Sequence, residues 1–180
     1  MNKLQHYQKY QIWYESAFVI AFFMINATIL ATSVIMEATR GGNEIPYESW
    51  KPFVWEYASA ITLILLFPTL GWLLTNFRLD WKNLKRTAVI YFLASLFFSG
   101  LHIAGMVSIK EFIYWTQSQN YDMGDIVFEL LYEYRKDVWA FIFLLAFITS
   151  YRFILSRLQG EASLITEGED ESKLQICDRL

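Results

Sequence analysis

The sequence predicts an all-α polytopic membrane fold: a four-transmembrane-helix bundle with a helical, aromatic external loop between its third and fourth helices. Three observations predict it. Of 180 residues, 55% are hydrophobic and only 18% charged, a balance too apolar for an ordinary soluble domain of this size. Four segments are long enough, at about 1.5 Å per residue, to cross a hydrocarbon core roughly 30 Å thick. Trp50, Trp55, Trp81, Trp115 and Trp139 fall at or just beyond the ends of those segments, where an amphipathic ring is most at home.

The first span, residues 17–36, reads AFVIAFFMINATILATSVIM and carries no charge. Lys3 and Lys9 precede it and small residues follow, which also describes a cleaved signal peptide; a twenty-residue apolar run exceeds the usual signal core, so a retained helix is expected. The connection Glu37 to Glu56 holds Gly41, Gly42, Pro46 and Pro52 and reads as an irregular crossing. The second span, residues 57–77, is uncharged and contains Pro68 and Gly71, which neighbouring helices accommodate in a membrane.

The third span, residues 87–107, is charged only if His102 is protonated. Beyond it SIKEFIYWTQSQ continues the helix outward, NYDMG breaks it, and DIVFELLYEYRKD starts another with Ile126, Val127, Leu130, Leu131 and Tyr134 at helical spacing. Run on to Leu158, that helix measures about 50 Å and projects beyond the bilayer. Phe112, Tyr114, Trp115, Phe128, Tyr132 and Tyr134 then form an aromatic cover over the bundle or along the membrane surface. The fourth span, residues 138–155, holds one charge, Arg152, placed to snorkel to the headgroups.

Residues 1–158 therefore form the membrane domain, and residues 159–180 change abruptly to acidic, linker-like composition. The closing KLQICDRL alternates apolar and polar residues weakly, a short strand pattern. Basic residues orient the chain. Lys3 and Lys9, the loop RLDWKNLKR (Arg78 to Arg86), and Arg152, Arg157, Lys173 and Arg179 lie on one side, so both termini are expected in the cytoplasm. The basic loop suits anionic lipid headgroups better than nucleic acid. The sole cysteine, Cys177, excludes an intrachain disulfide.

No HExxH, CxxC, GxSxG, P-loop or GxGxxG pattern occurs, so neither an enzyme nor a cofactor or metal site is expected. The ionisable group within a span is nonetheless a functional candidate. His102 and Met106 lie four apart on one helix face and cannot bind opposite sides of one haem iron; the second histidine, His6, precedes the first span. Two readings of His102 stay open: a hydrogen bond to a polar group on another helix, such as Asn26, Thr28, Thr62 or Thr69, and a switch whose charge changes near neutral pH. Ser95, Ser99, Gly100, Ala104 and Gly105 read as a small-residue face for close helix packing. In YEYRKD, Glu133, Arg135, Lys136 and Asp137 are either a solvated collar or partners of loop charges such as Glu56.

Four landmarks together resemble the N-terminal membrane region of LytTR-type transcriptional regulators: WKPFVWEYASA (Trp50 to Ala60), LHIAGM (Leu101 to Met106), YEYRKD before the last span, and RLQGEAS (Arg157 to Ser163) after it. The resemblance implies a sensing and anchoring module in the bacterial inner membrane, with an acidic linker leading to a β-rich DNA-binding domain. The chain ends at Leu180, leaving too little for that domain, so no direct nucleic-acid binding is expected. A truncated regulator, a stand-alone antagonist that sequesters a separate LytTR-type regulator, and a small intramembrane enzyme or carrier using His102 are the alternatives. Expected partners are the lipid bilayer, such a regulator and, by analogy with regulators that read paired half-sites, a second copy of the chain. Candidate coupling or packing residues are His102, Met106, Gly100, Gly105, Glu56, Glu133, Arg135 and Asp137.

Overall fold

A computed structural model describes the backbone of residues 3–40, 46–77 and 83–177, with side chains from residue 10 to residue 158 within those limits and at residue 160. Gly41, Gly42 and residues 78–82 of the basic loop, Trp81 among them, lie outside the described residues, as do the side chains of the acidic segment 161–180. The described chain is all-helical: α1 (Lys3–Thr39), α2 (Lys51–Asn76), α3 (Leu84–Thr116) and α4 (Ile126–Cys177). Each contains a stretch long and apolar enough to cross a membrane, as expected of a polytopic membrane protein.

Local chemistry explains these helices. Hydroxyl and amide side chains within the apolar stretches turn back onto their own helix: Asn26 donates to the Phe22 carbonyl, Ser33 to Ile29, Ser108 to Ala104 and Thr149 to Leu145, all at 2.7–2.8 Å. A polar group satisfied on its own helix can sit in lipid without a partner helix. Pro52 lies in the first turn of α2, where its missing N–H breaks no helical bond. Gly124, with φ of 74°, stands in the 117–125 connection in a conformation that favours glycine.

The chain divides into two compact units, residues 1–139 and residues 140–180. In the first unit α2 packs against α1 and α3. Ala27 and Ala31 of α1, one turn apart, and Ala58 and Ala60 of α2 are buried, the small-residue packing that lets membrane helices approach. The buried residues of α3, including Phe98, Ser99, His102, Met106, Lys110 and Tyr114, form one stripe at three- and four-residue spacing. In the second unit Phe141, Leu144 and Ile148 are buried along one helix face.

α4 starts where the sequence predicts and ends later. It begins at Ile126, as the helical spacing from Asp125 onward indicates, so Asp137, just before the fourth apolar stretch, lies three turns into the helix. It also continues through Cys177, so the alternation in KLQIC does not form a strand. The segment has no pairing strand beside it among the described residues, and its Ala, Glu, Leu and Lys residues are good helix formers that extend an existing helix at little cost.

Candidate functional site

Most polar side chains in the spans serve their own backbone, which isolates the few that do not. His102, only 2% exposed, projects from the buried stripe of α3 and meets two other helices. Its Nε2 lies 3.1 Å from Ser59 Oγ on α2, and its Nδ1 lies 2.8 Å from Asp137 Oδ1 on α4. The other carboxylate oxygen of Asp137 accepts a hydrogen bond from Ser99 Oγ at 2.5 Å, and Ser99 stands one turn before His102. Asp137 and Ser99 are also buried, at 3% and 2% exposure.

One contact in this group is imperfect. Although Nδ1 and Oδ1 are at ion-pair distance, Nδ1 makes no aligned hydrogen bond: the carboxylate oxygen lies off the direction of a ring N–H, and hydrogen bonds weaken steeply with such misalignment.

The expected partners of His102 were Asn26, Thr28, Thr62 or Thr69. Each of these instead donates to a carbonyl of its own helix, with Thr28 also meeting Tyr57 Oη at 2.8 Å. Met106 is buried one turn beyond His102. Gly105 lies against α2, where an added Cβ would stand 2.6 Å from Thr62 Cγ2. Gly100, read from sequence as part of the same small face, is exposed, and an added Cβ there would meet nothing within 4 Å. Five residues at about 100° each place the two glycines roughly 140° apart around the helix.

A second layer of charge lies towards the ends of the helices joined by the 40–50 and 117–125 connections. Glu133, one turn from Asp137 on α4, is buried and accepts from Lys136 Nζ at 3.0 and 3.1 Å. Lys110, two turns from His102, is 7% exposed, with its ammonium 5.5 Å from the Tyr121 ring centroid. Glu56, half-buried on α2, is in the electrostatic field of Lys136, Lys110 and Glu133. Arg135 points away, exposed, over the Tyr132 ring at 5.4 Å. The YEYRKD run thus divides: Glu133 and Asp137 turn inward, and Arg135 stays outside.

Aromatic rings cover this layer. Trp55 Nε1 donates to Tyr114 Oη at 2.8 Å, and Tyr114 makes edge contacts with Trp50 and Tyr121 at 5.2 and 5.3 Å. Burial raises the pKa of Tyr121, favouring the neutral phenol beside these rings. Glu48 joins the two connections, accepting from Gln119 Nε2 at 2.6 Å and from Trp50 Nε1 at 2.5 Å. These bonds, led by Gln119, hold its carboxyl below the ordinary value.

Sequence reasoning missed Ser59 and Ser99 as partners of the pair and Lys110 as a buried cation. Their signal was spacing: Glu56 and Ser59, Ser99 and His102, and Glu133 and Asp137 are each three or four apart, on common helix faces. Among the described residues no group of three His, Cys, Asp or Glu side chains could hold a metal ion. The arrangement can instead hold and exchange protons and tie three helices together. No family model, curated protein or solved structure matches the chain.

Proposed function

We propose that this chain is a membrane sensing and anchoring module, multi-pass in the bacterial inner membrane with both termini cytoplasmic, of the kind that governs a LytTR-like transcriptional regulator. One observation carries the reading: α4 contributes Asp137 to a buried polar cluster with α2 and α3 and then runs unbroken to Cys177. A cue that changes the cluster therefore acts on the helix that leads out of the membrane, a helix shift of a kind common in switching proteins. The resemblance over Trp50 to Ser163 supplies the LytTR class of partner, as analogy.

The test is a fusion of the full chain to an intact LytTR-type DNA-binding domain driving a reporter. Asp137→Asn should change output while expression and membrane insertion stay normal; unchanged output under every inducing condition removes the cluster from signalling. Reporters fused after Ser118 and Leu180 check orientation, and periplasmic activity at Leu180 would refute it.

A second reading, an intramembrane acyl-transfer enzyme, is favoured by the order Ser59, His102, Asp137, with Nε2 towards the hydroxyl and Nδ1 towards the acid, the order of a nucleophile, base and orienting carboxylate. Against it, Ser59 lies well inside α2, where neighbouring backbone N–H groups are committed to the helix and cannot stabilise an oxyanion. A lipophilic fluorophosphonate that labels the parent but not Ser59→Ala would establish this reading; no labelling dismisses it.

A further inference from the structure

We propose that His102 and Asp137 form a proton-operated latch that sets how the first turns of α4 are held against α2 and α3. This deepens the sensor reading, on which it rests, by naming its cue, the proton.

The first argument is proton bookkeeping at the contact. Two unprotonated acceptor atoms repel at 2.8 Å, so the separation between Nδ1 and Oδ1 requires a proton on one of them. Asp137 Oδ2 already accepts from Ser99, so the carboxylate is supported as an acceptor from one side. With one ring proton, on Nδ1, the site carries the carboxylate's negative charge, and Nε2 must accept from the Ser59 hydroxyl. With a second proton the ring is an imidazolium: Nε2–H donates to Ser59 Oγ, Nδ1–H faces the carboxylate, and the pair is neutral overall. Each proton gained or lost therefore reverses the bond to α2 and changes the strength of the contact to α4.

The second argument is charge balance across every helix packed around the pair. α2 brings Glu56, α3 brings Lys110, and α4 brings Glu129, Glu133 and Lys136 as well as Asp137; α1 has no Asp, Glu, Lys, Arg, His, Tyr or Cys between Glu15 and Glu37. Two cations face four carboxylates, and the imidazolium of His102 halves that excess of negative charge. In a low-dielectric interior an uncompensated charge is costly, so a proton on His102 moves this layer towards balance.

The third argument is that the contact leaves something to move. Nδ1 and Oδ1 are near but misaligned. A charge-assisted bond is stronger and more directional than a neutral one, so protonation draws the Asp137 carboxylate towards the ring N–H axis and the start of α4 with it. A route for the proton exists beside the pair: buried Glu133 lies one turn from Asp137 and is bonded to Lys136, whose side chain is 52% exposed.

The test uses the full chain in lipid nanodiscs on a Cys177→Ser background, with spin-label pairs at Ser49 with Asp125 and at Gln117 with Asp125, all exposed sites. Pulsed-EPR distances are compared at pH 5 and pH 8. The expected result is a shift on the order of 1–2 Å, the scale of helix switching, that disappears in both His102→Asn and Asp137→Asn and persists in Glu133→Gln. Distances independent of pH in the parent, or a shift that survives in both variants, overturn the latch. Circular dichroism and a monodisperse elution profile establish that each variant is folded; if one is not, the other decides. The measurement needs no regulator. A failed latch with a responsive fusion reporter leaves the sensor reading intact with another cue, and a working latch with a silent reporter overturns the sensor reading alone.

Discussion

Gly105→Ala should be the most damaging single-methyl addition on α3. The new Cβ would stand 2.6 Å from Thr62 Cγ2 and 3.2 Å from its Oγ1, whereas carbon atoms rest at roughly 3.5–4.0 Å. Thr62 has little freedom to yield: it is buried, β-branched, and its hydroxyl donates to the Ala58 carbonyl at 2.8 Å. Relief must come from separating α3 and α2 by roughly 1 Å. Overpacking of this kind costs about 1–3 kcal/mol, and the same movement stretches the 3.1 Å contact between His102 and Ser59 beyond hydrogen-bonding range. The decisive assay is a graded rescue measured by reversible unfolding in mixed micelles. Thr62→Ser removes the atom at 2.6 Å and leaves Oγ1 at 3.2 Å, whereas Thr62→Ala leaves only Cβ at 3.6 Å, ordinary contact. In the Gly105→Ala background, stability should therefore be lowest with Thr62 retained, higher with Thr62→Ser and highest with Thr62→Ala. A Gly105→Ala protein as stable as the parent, or a double variant no better than the single, would refute the close approach. Gly100→Ala, with open space around its Cβ, should sit near the parent and is the internal control.

Three further outcomes follow from the same geometry. Ser99→Ala removes the donor to Asp137 Oδ2 and should cost about 1–3 kcal/mol in the same unfolding assay, the penalty of a buried acceptor left short, with most of that loss absent in an Asp137→Leu background. His102→Leu alone strands a buried carboxylate and should cost about 3–5 kcal/mol, while the paired His102→Leu, Asp137→Leu protein should recover most of it; a double variant weaker than both singles would contradict the pairing. Glu48 titrates below its ordinary 4.5, so its tie between the two connections is complete above about pH 4.5 and is lost as pH falls through the folded value. Trp50 fluorescence should report that acid transition in the parent and stay flat in Glu48→Gln.

The spans were legible because hydropathy is a property of each residue and its near neighbours, and the start of α4 was legible because Ile126, Val127, Leu130 and Leu131 keep helical spacing. Asp137 was legible as a residue of that helix but its partner was not: a hydropathy window ends a span at the first charge and cannot register a charge whose partner lies on another helix. The partners of His102 depend on how α2 and α4 are rotated about their axes, and nothing within α3 specifies that. The two glycines differ in kind. Their opposed directions follow from helical angle alone, so the separation of Gly100 from Gly105 was already present in their spacing. Continuation of α4 past Leu158 was hidden because acidic, apolar-poor composition resembles a linker, while helix propensity in an already nucleated helix asks only that each added residue be tolerated.

Position within the helices separates two kinds of polar residue that composition treats alike. Asn26, Ser33, Ser108 and Thr149 bond to their own turns, and any rotation or shift of their helix carries donor and acceptor together. Ser59, Ser99, His102 and Asp137 bond across helices, so their energy depends on how α2, α3 and α4 are placed. Only the second kind can convert a local chemical event into movement, and all four converge on one imidazole ring and one carboxylate. Glu133 and Lys110 extend the same inward faces of α4 and α3 towards the aromatic cover, whereas Arg135, two residues from each inward-facing acid of α4, cannot join them. The effect of a substitution in this region should therefore follow helix face and cross-helix bonding rather than charge: Arg135 should be replaceable with little consequence, whereas loss of Asp137, two residues on, should unlock three helices.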